Sequence, residues 1–194
     1  MDAPDLDSVL AMRVRASDGA AFEALFRAYF ARLASLAFAY VKSRETAEEL
    51  VQDTFLRIWE TRSTWEVTGN VRSYLYAAVR HRAINHLRKA RVGARVEENA
   101  AASSAHGEGW GGAFGLRVPA ADAELETAEL HAAIERAISE LPDRCREAFA
   151  LSRQHDLSHA EIAAIMGTAV KTVENQITKA RTHLRRRLSP WLNG

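Results

Sequence analysis

The sequence predicts an all-α protein built as two small helical domains joined by a flexible linker. Three observations carry this. Apolar residues recur with a helical period of 3.6 toward both ends of the chain, no window keeps the period-2 alternation of a half-buried strand, and the middle is rich in alanine, glycine and serine. With 194 residues, 47% of them apolar, the chain holds one ordinary domain or two small ones with modest cores.

Taken in order, the run Leu6 to Val14 is a weakly amphipathic candidate for a first helix. Asp18 is placed to cap a helix starting near Gly19, with Phe22, Leu25, Phe26, Tyr29, Phe30, Leu33, Leu36, Ala37 and Tyr40 at helical spacing. The next helix is expected from about Arg44 to Thr61, turning Ala47, Leu50, Val51, Phe55 and Ile58 inward. A Thr/Gly/Asn loop then leads to a helix over about Val71 to Arg91, so residues 1–91 form an N-terminal helix bundle.

From 92 to 124 the composition shifts, and the stretch from Asn99 to Gly115 cannot bury enough apolar surface to offset chain entropy. This is the expected flexible linker. Trp110 and Phe114 within it are either incidental aromatics or anchor points on a partner.

Residues 125–194 read as a C-terminal four-helix domain. Leu125 to Leu141 stops before Pro142, which suits the first position of a helix over about Asp143 to Gln154. Ser158-His159-Ala160-Glu161 has capping-box spacing and opens a short helix that ends at Met166 and Gly167. Gly167 supplies the tight turn. Thr168, the expected cap, begins a last helix to about Leu188, with Val170, Val173, Ile177, Ala180 and Leu184 expected inward. Two helices joined by a short glycine turn make a helix-turn-helix.

The outward face of that last helix carries Lys171, Thr172, Glu174, Asn175, Thr178 and Lys179, then Arg181 and the run Arg185-Arg186-Arg187. Asparagine pairs with adenine, glutamate accepts from cytosine, and lysine and arginine take guanine or phosphate. A solvated basic face would look similar in isolation. Combined with the glycine turn and the capping box, the pattern points to duplex DNA.

A second basic block lies between Val71 and Arg95, with Arg72, Arg80, Arg82, Arg88, Lys89, Arg91 and Arg95, two histidines, His81 and His86, and no acid. That is an electrostatic footprint for phosphate. Trp65 in the preceding loop and Tyr74 and Tyr76 at its start favour unstacked single-stranded bases, and Asn70 and Asn85 add amides suited to base edges. Trp59 and Tyr74 are expected in the core, while Trp65 is open between core packing and base stacking. The preceding helix has a different outer face: Glu49, Gln52, Asp53 and Leu56 share it, widened by Glu45 and Glu48. A leucine displayed among acids is a docking face for a protein partner.

The net charge of +1 averages these blocks away. The single cysteine, Cys145, allows no intrachain disulfide and is expected in the core. His81 and His86 are five apart, and His155 and His159 straddle a helix start, so neither pair suits a metal. Acids spread over outer helical faces suit no hydrolytic centre, so no enzyme activity and no cofactor are expected. The acidic start has no secretory pattern, and the longest apolar stretch, Leu33 to Val41, falls short of the roughly 20 residues that span a bilayer. A cytoplasmic protein without membrane insertion is expected.

Five blocks together carry a family resemblance. They are Ala47-Glu-Glu-Leu-Val-Gln-Asp-Thr-Phe-Leu-Arg-Ile-Trp59, Ser73-Tyr-Leu-Tyr, Ile84-Asn-His-Leu-Arg-Lys89, Leu157-Ser-His-Ala-Glu-Ile-Ala-Ala-Ile-Met-Gly167 and Lys171-Thr-Val-Glu-Asn175. In this order they resemble extracytoplasmic-function sigma factors, which keep only the second and fourth sigma domains. The resemblance covers nearly everything except the linker and the first few residues. It implies that Glu49, Gln52, Asp53 and Leu56 bind core RNA polymerase at the clamp helices of its largest subunit. It also implies contact with the flap of the second-largest subunit, and an anti-sigma factor as a further partner.

For promoter DNA it implies that Trp65 to Arg72 and the helix after them melt and read the minus-ten element, through Trp65, Asn70, Arg72, Arg80, His81, Arg82, Asn85, Arg88 and Lys89. The helix-turn-helix would read the minus-thirty-five element as duplex, through Lys171, Thr172, Glu174, Asn175, Thr178, Lys179 and Arg181. The chain departs from the family pattern at Tyr74 and His81, where tryptophan and asparagine are usual, and at Ala169, where a serine usually caps the last helix. The residues alone also admit a stand-alone helix-turn-helix regulator, which would leave the block from Arg80 to Arg91 without a role.

Overall fold

The computed structural model describes residues 5–67, 69–98 and 125–192, and all regular structure among them is helical. The chain divides into two compact units, Met1–Gly107 and Glu108–Gly194. The first contains α1 (Leu6–Arg15), α2 (Gly19–Val41), α3 (Arg44–Glu60), a 3-10 turn at Arg62–Thr64 and α4 (Val71–Glu98).

Helix α2 is central and packs against α1, α3 and α4. Asp18 caps it, its Oδ1 accepting from the amides of Ala20 and Ala21 at 2.9 and 3.1 Å. The Ala21 amide and the Arg13 guanidinium together hold the Asp18 carboxyl below its ordinary pKa. By length and composition α2 is apolar enough to cross a membrane, which the sequence reading of short apolar runs had not anticipated. Three neighbours account for that composition: Leu25, Leu33 and Leu36 are fully buried among them. Each such side chain contributes about 1.5–3 kcal/mol of burial.

The marginal first helix forms because it finds this core. Val14 is fully buried, and the hydroxyl of Tyr29 on α2 donates to Asp7 on α1. Val51 and Phe55 of α3 and Leu75, Tyr76 and Val79 of α4 complete the interior. Ser43 opens α3, its Oγ accepting from the Thr46 amide at 3.2 Å.

Helix α4 continues through Glu98, so the first seven residues of the expected linker are helical. The one poor helix former there, Gly93, costs about 1 kcal/mol, and Ala94, Arg95, Glu97 and Glu98 around it all favour helix. The rest of the expected linker, including Trp110 and Phe114, lies outside the described residues.

The second unit contains α5 (Leu125–Ser139), α6 (Asp143–Gln154), α7 (His159–Met166), α8 (Val170–Arg187) and the short α9 (Ser189–Leu192). Leu141, Cys145, Phe149 and Ala180 form a buried cluster with Leu184 packed against it, so Cys145 is a core residue. Burial pushes its thiol above the ordinary pKa.

Pro142 is the N-cap of α6, one residue before the predicted helical position. The turn between α5 and α6 is closed by buried Arg146. Its guanidinium donates to the carbonyls of Ile138, Ser139 and Leu141 at 3.0, 2.6 and 2.5 Å and pairs with Asp143 at 3.1 Å. The last carbonyls of α5 thus find donors away from water.

The expected capping box is present on α7. Ser158 Oγ accepts from the Glu161 amide at 3.3 Å, and the Ser158 amide donates to Glu161 Oε2 at 2.8 Å. Gly167 ends α7 at a φ of 62°, the left-handed conformation that favours glycine. The cap of α8 differs from expectation: Ala169, not Thr168, is the N-cap, and no side chain accepts from the first amides.

Candidate nucleic-acid interface

Helix α8 is amphipathic along its length. Val173, Ile177 and Ala180 are buried, while Lys171, Thr172, Asn175, Thr178, Lys179 and Arg181 are exposed. The structure therefore brings six of the seven predicted duplex contacts to one outward surface. Glu174 is half-buried and its Oε2 pairs with Lys171 Nζ at 3.1 Å. A largely solvated ion pair of this kind is worth about 0–1 kcal/mol and holds neither side chain firmly in place.

The arginine run at the end of α8 divides. Arg187 turns away from this surface and donates to Glu140 before the α5–α6 turn, its Nε reaching Oε2 at 2.6 Å. His183 Nε2 also lies 3.3 Å from Glu140 Oε2. Arg187 holds the Glu140 carboxyl below its ordinary pKa, helped by His183. Arg185 and Arg186 stay exposed. A shallow groove lined by Thr178, Lys179, Thr182, His183 and Arg186 runs along this half of α8. Of these, Thr182 and His183 were not singled out from sequence, whereas Arg186 was part of the predicted basic run. The signal for Thr182 was the spacing, since 178, 182 and 186 repeat at i, i+4 and i+8 on one face.

On α4 the predicted set separates by helical position. Tyr74, His81, Asn85 and Arg88 lie at i, i+7, i+11 and i+14, an outward stripe opposite the buried Leu75, Val79 and Ala83. His81, Arg88 and Lys89 are exposed, and Asn85 Nδ2 lies 3.1 Å from His81 Nε2. Arg80 and Arg82 are half-buried on its flanks.

Three predicted contacts are placed differently. Asn70 caps α4, its Oδ1 accepting from the Ser73 amide at 3.2 Å, so the side-chain oxygen expected to read a base already has a structural task. Arg72 is half-buried on the core side of α4, where its charge acts on Tyr29 beside Asp7. Trp65 is only 4% exposed, with its ring centroid 5.8 Å from that of Tyr74, so core packing claims it over display in the loop. Its indole Nε1 is buried with no hydrogen-bond partner among the described residues. Of the two tyrosines on α4, Tyr76 is fully buried, while Tyr74, expected in the core, is half-buried. Trp59 is half-buried against Phe22 at 4.9 Å, with the Arg62 guanidinium 4.4 Å over its ring.

Helix α3 presents the acidic face. Glu49, Gln52, Asp53 and Leu56 are all exposed, while Ala47, Val51, Thr54, Phe55 and Ile58 are buried behind them. Leu56 is 55% exposed, a large apolar side chain displayed between carboxylates. Glu48 is engaged with Arg44 at 2.8 Å and contributes less to the open face.

Comparison with known proteins bears on all three surfaces. The family description "Sigma-70 region 2" matches residues 25–92, and "Sigma-70, region 4" matches residues 131–184. The ECF RNA polymerase sigma-E factor of Salmonella typhimurium is 29% identical over 184 residues, covering 95% of each chain. The fold resembles that of CnrH, solved in complex with the cytosolic domain of CnrY, with a TM-score of 0.64 and 20% identity over 96% of this chain and 99% of that one. It also resembles the sigma factor RpoE of Bartonella quintana, solved with the anti-sigma factor NepR, with a TM-score of 0.59 and 23% identity over 87% and 96%.

Proposed function

Because the chain belongs to the extracytoplasmic-function sigma factors, promoter-recognising subunits that act by binding RNA polymerase, we propose how its three surfaces divide that work. The α3 face of Glu49, Gln52, Asp53 and Leu56 docks on core polymerase at the clamp helices of the largest subunit. The outward stripe of α4, His81, Asn85 and Arg88 with Tyr74, takes the unstacked strand of the minus-ten element, and Arg80, Arg82 and Lys89 meet its phosphates. The exposed face of α8 reads the minus-thirty-five element as duplex, and the second unit meets the flap of the second-largest subunit.

The observation that carries this reading is the separation of charge by element. The acidic, leucine-bearing face lies on α3, and the basic faces lie on α4 and α8. A protein-facing surface and two nucleic-acid surfaces thus coexist at a net charge of only +1. Since RpoE of Bartonella quintana was solved with an anti-sigma factor, an anti-sigma protein is the natural regulator of these surfaces. The place of action is that of the polymerase, the cytoplasm.

Run-off transcription with purified protein, with and without core polymerase, tests the division using Asp53→Arg. Specific promoter binding and transcript should appear only with core and disappear in the variant. Tight, specific duplex binding by the free protein, unchanged by core, would return a stand-alone regulator.

A further inference from the structure

The tip of α8 breaks two stability rules at adjacent positions. Ala169 occupies the N-cap with extended backbone, φ −78° and ψ 147°, and offers no acceptor to the first amides. Alanine there forgoes about 1 kcal/mol that serine or threonine would contribute. Val170, the first helical residue, is 43% exposed, although its place in the apolar pattern suggested an inward side chain. Its stripe partners Val173 and Ile177 are 0% and 2% exposed. Val170 lies at the edge of that stripe, one turn before its first buried member, and an exposed β-branched side chain lowers helix propensity.

A single exposed valine is ordinary on a protein surface. Here it coincides with an apolar N-cap on the same turn, flanked by exposed Lys171 and Thr172, at the end of the helix that approaches base edges in a helix-turn-helix. Neither residue helps the helix form. Both add methyl groups where bases are read, and thymine is the base that shows a methyl in the major groove.

We propose that Val170, backed by Ala169, is a sequence-reading residue that packs on the 5-methyl group of a thymine in the duplex element bound by α8. The proposal rests on α8 being the minus-thirty-five helix. Lys171 and Thr172 supply polar contacts beside it, and the apolar tip adds discrimination that no hydrogen bond provides.

The test uses holoenzyme assembled from the full chain and core polymerase, with promoter fragments randomised across the minus-thirty-five region. The best selected duplex is compared with versions in which each thymine in turn is replaced by uracil, which removes only the methyl group. At one position the replacement should weaken wild-type binding about fourfold, the value of one buried methyl. Val170→Ala should bind the thymine and uracil forms alike, and Val170→Thr, of the same shape with one methyl replaced, should discriminate less than wild type. Thermal melts of both variants should not fall below wild type, which separates lost reading from lost folding. A selected duplex without thymine, uracil replacement that is neutral throughout, or an undiminished loss in Val170→Ala would each overturn the proposal. Failure to select any sequence would overturn the reading of α8 beneath it, and the proposal with it.

Discussion

Arg146 does more for the second unit than any pattern of apolar residues predicts. It is 5% exposed and reaches three carbonyls and one carboxylate around a single turn. Arg146→Met leaves the carbonyls of Ser139 and Leu141 without their guanidinium donor, Ile138 keeping the Leu141 amide, and leaves Asp143 unpaired, which should cost about 3–5 kcal/mol and lower the denaturant midpoint of this unit. An unchanged midpoint would mean that water replaces the guanidinium at no cost. Glu140, beside the same turn, makes the stability depend on pH. Its folded pKa is depressed by Arg187, so the interaction is fully present above the ordinary carboxylate range and fades as pH falls through the lowered value. Melts from neutral to acid pH should show wild type converging on Glu140→Gln; a gap that persists in acid would show that the pair does not titrate with folding.

At the scale of elements, α4 separates positions that equal charge made look alike. Arg88 is exposed on the outward stripe, whereas Arg72 is half-buried on the core side beside Tyr29. Arg88→Ala should weaken binding of minus-ten single strand by holoenzyme and reduce the slope of log K against log salt by about 0.7, with the melting point unmoved. Arg72→Ala should instead lower the melting point of the first unit. Equal salt slopes in the two variants would show that burial does not sort these residues. The helices themselves were legible because apolar spacing, Asp18, the capping box and Gly167 each state a local rule that the folded chain obeys.

The destinations of Trp65, Asn70 and Arg72 were not legible. Residue type gives an aromatic, an amide and a guanidinium, but which of them the fold consumes depends on neighbours distant in sequence, or on a cap geometry that composition does not encode. The α8 cap was missed for a similar reason. A threonine preceded the helix, but the backbone places Ala169 at the cap. Ala169→Ser should therefore stabilise the second unit by about 1 kcal/mol. A melting point that does not rise would mean that another group already serves the first amides.

For the whole molecule the question is how two units, each with its own proposed DNA surface, would act together on one promoter. If polymerase holds each unit at its own site, the 26 residues from 99 to 124 set only the effective concentration of the second unit once the first is bound. Chain entropy then makes length a weak variable, because doubling a flexible loop costs about 0.6 kcal/mol, or roughly threefold in affinity. Inserting a further glycine- and serine-rich segment of equal length should reduce promoter binding by holoenzyme by no more than that, with equal loss at every insertion point. A much larger loss, or one that depends on whether the insertion falls before Trp110 or after Phe114, would make these aromatics anchors on the polymerase. The segment would then be a further contact surface in its own right, and its composition would reflect a path along a partner as well as the entropy of a tether.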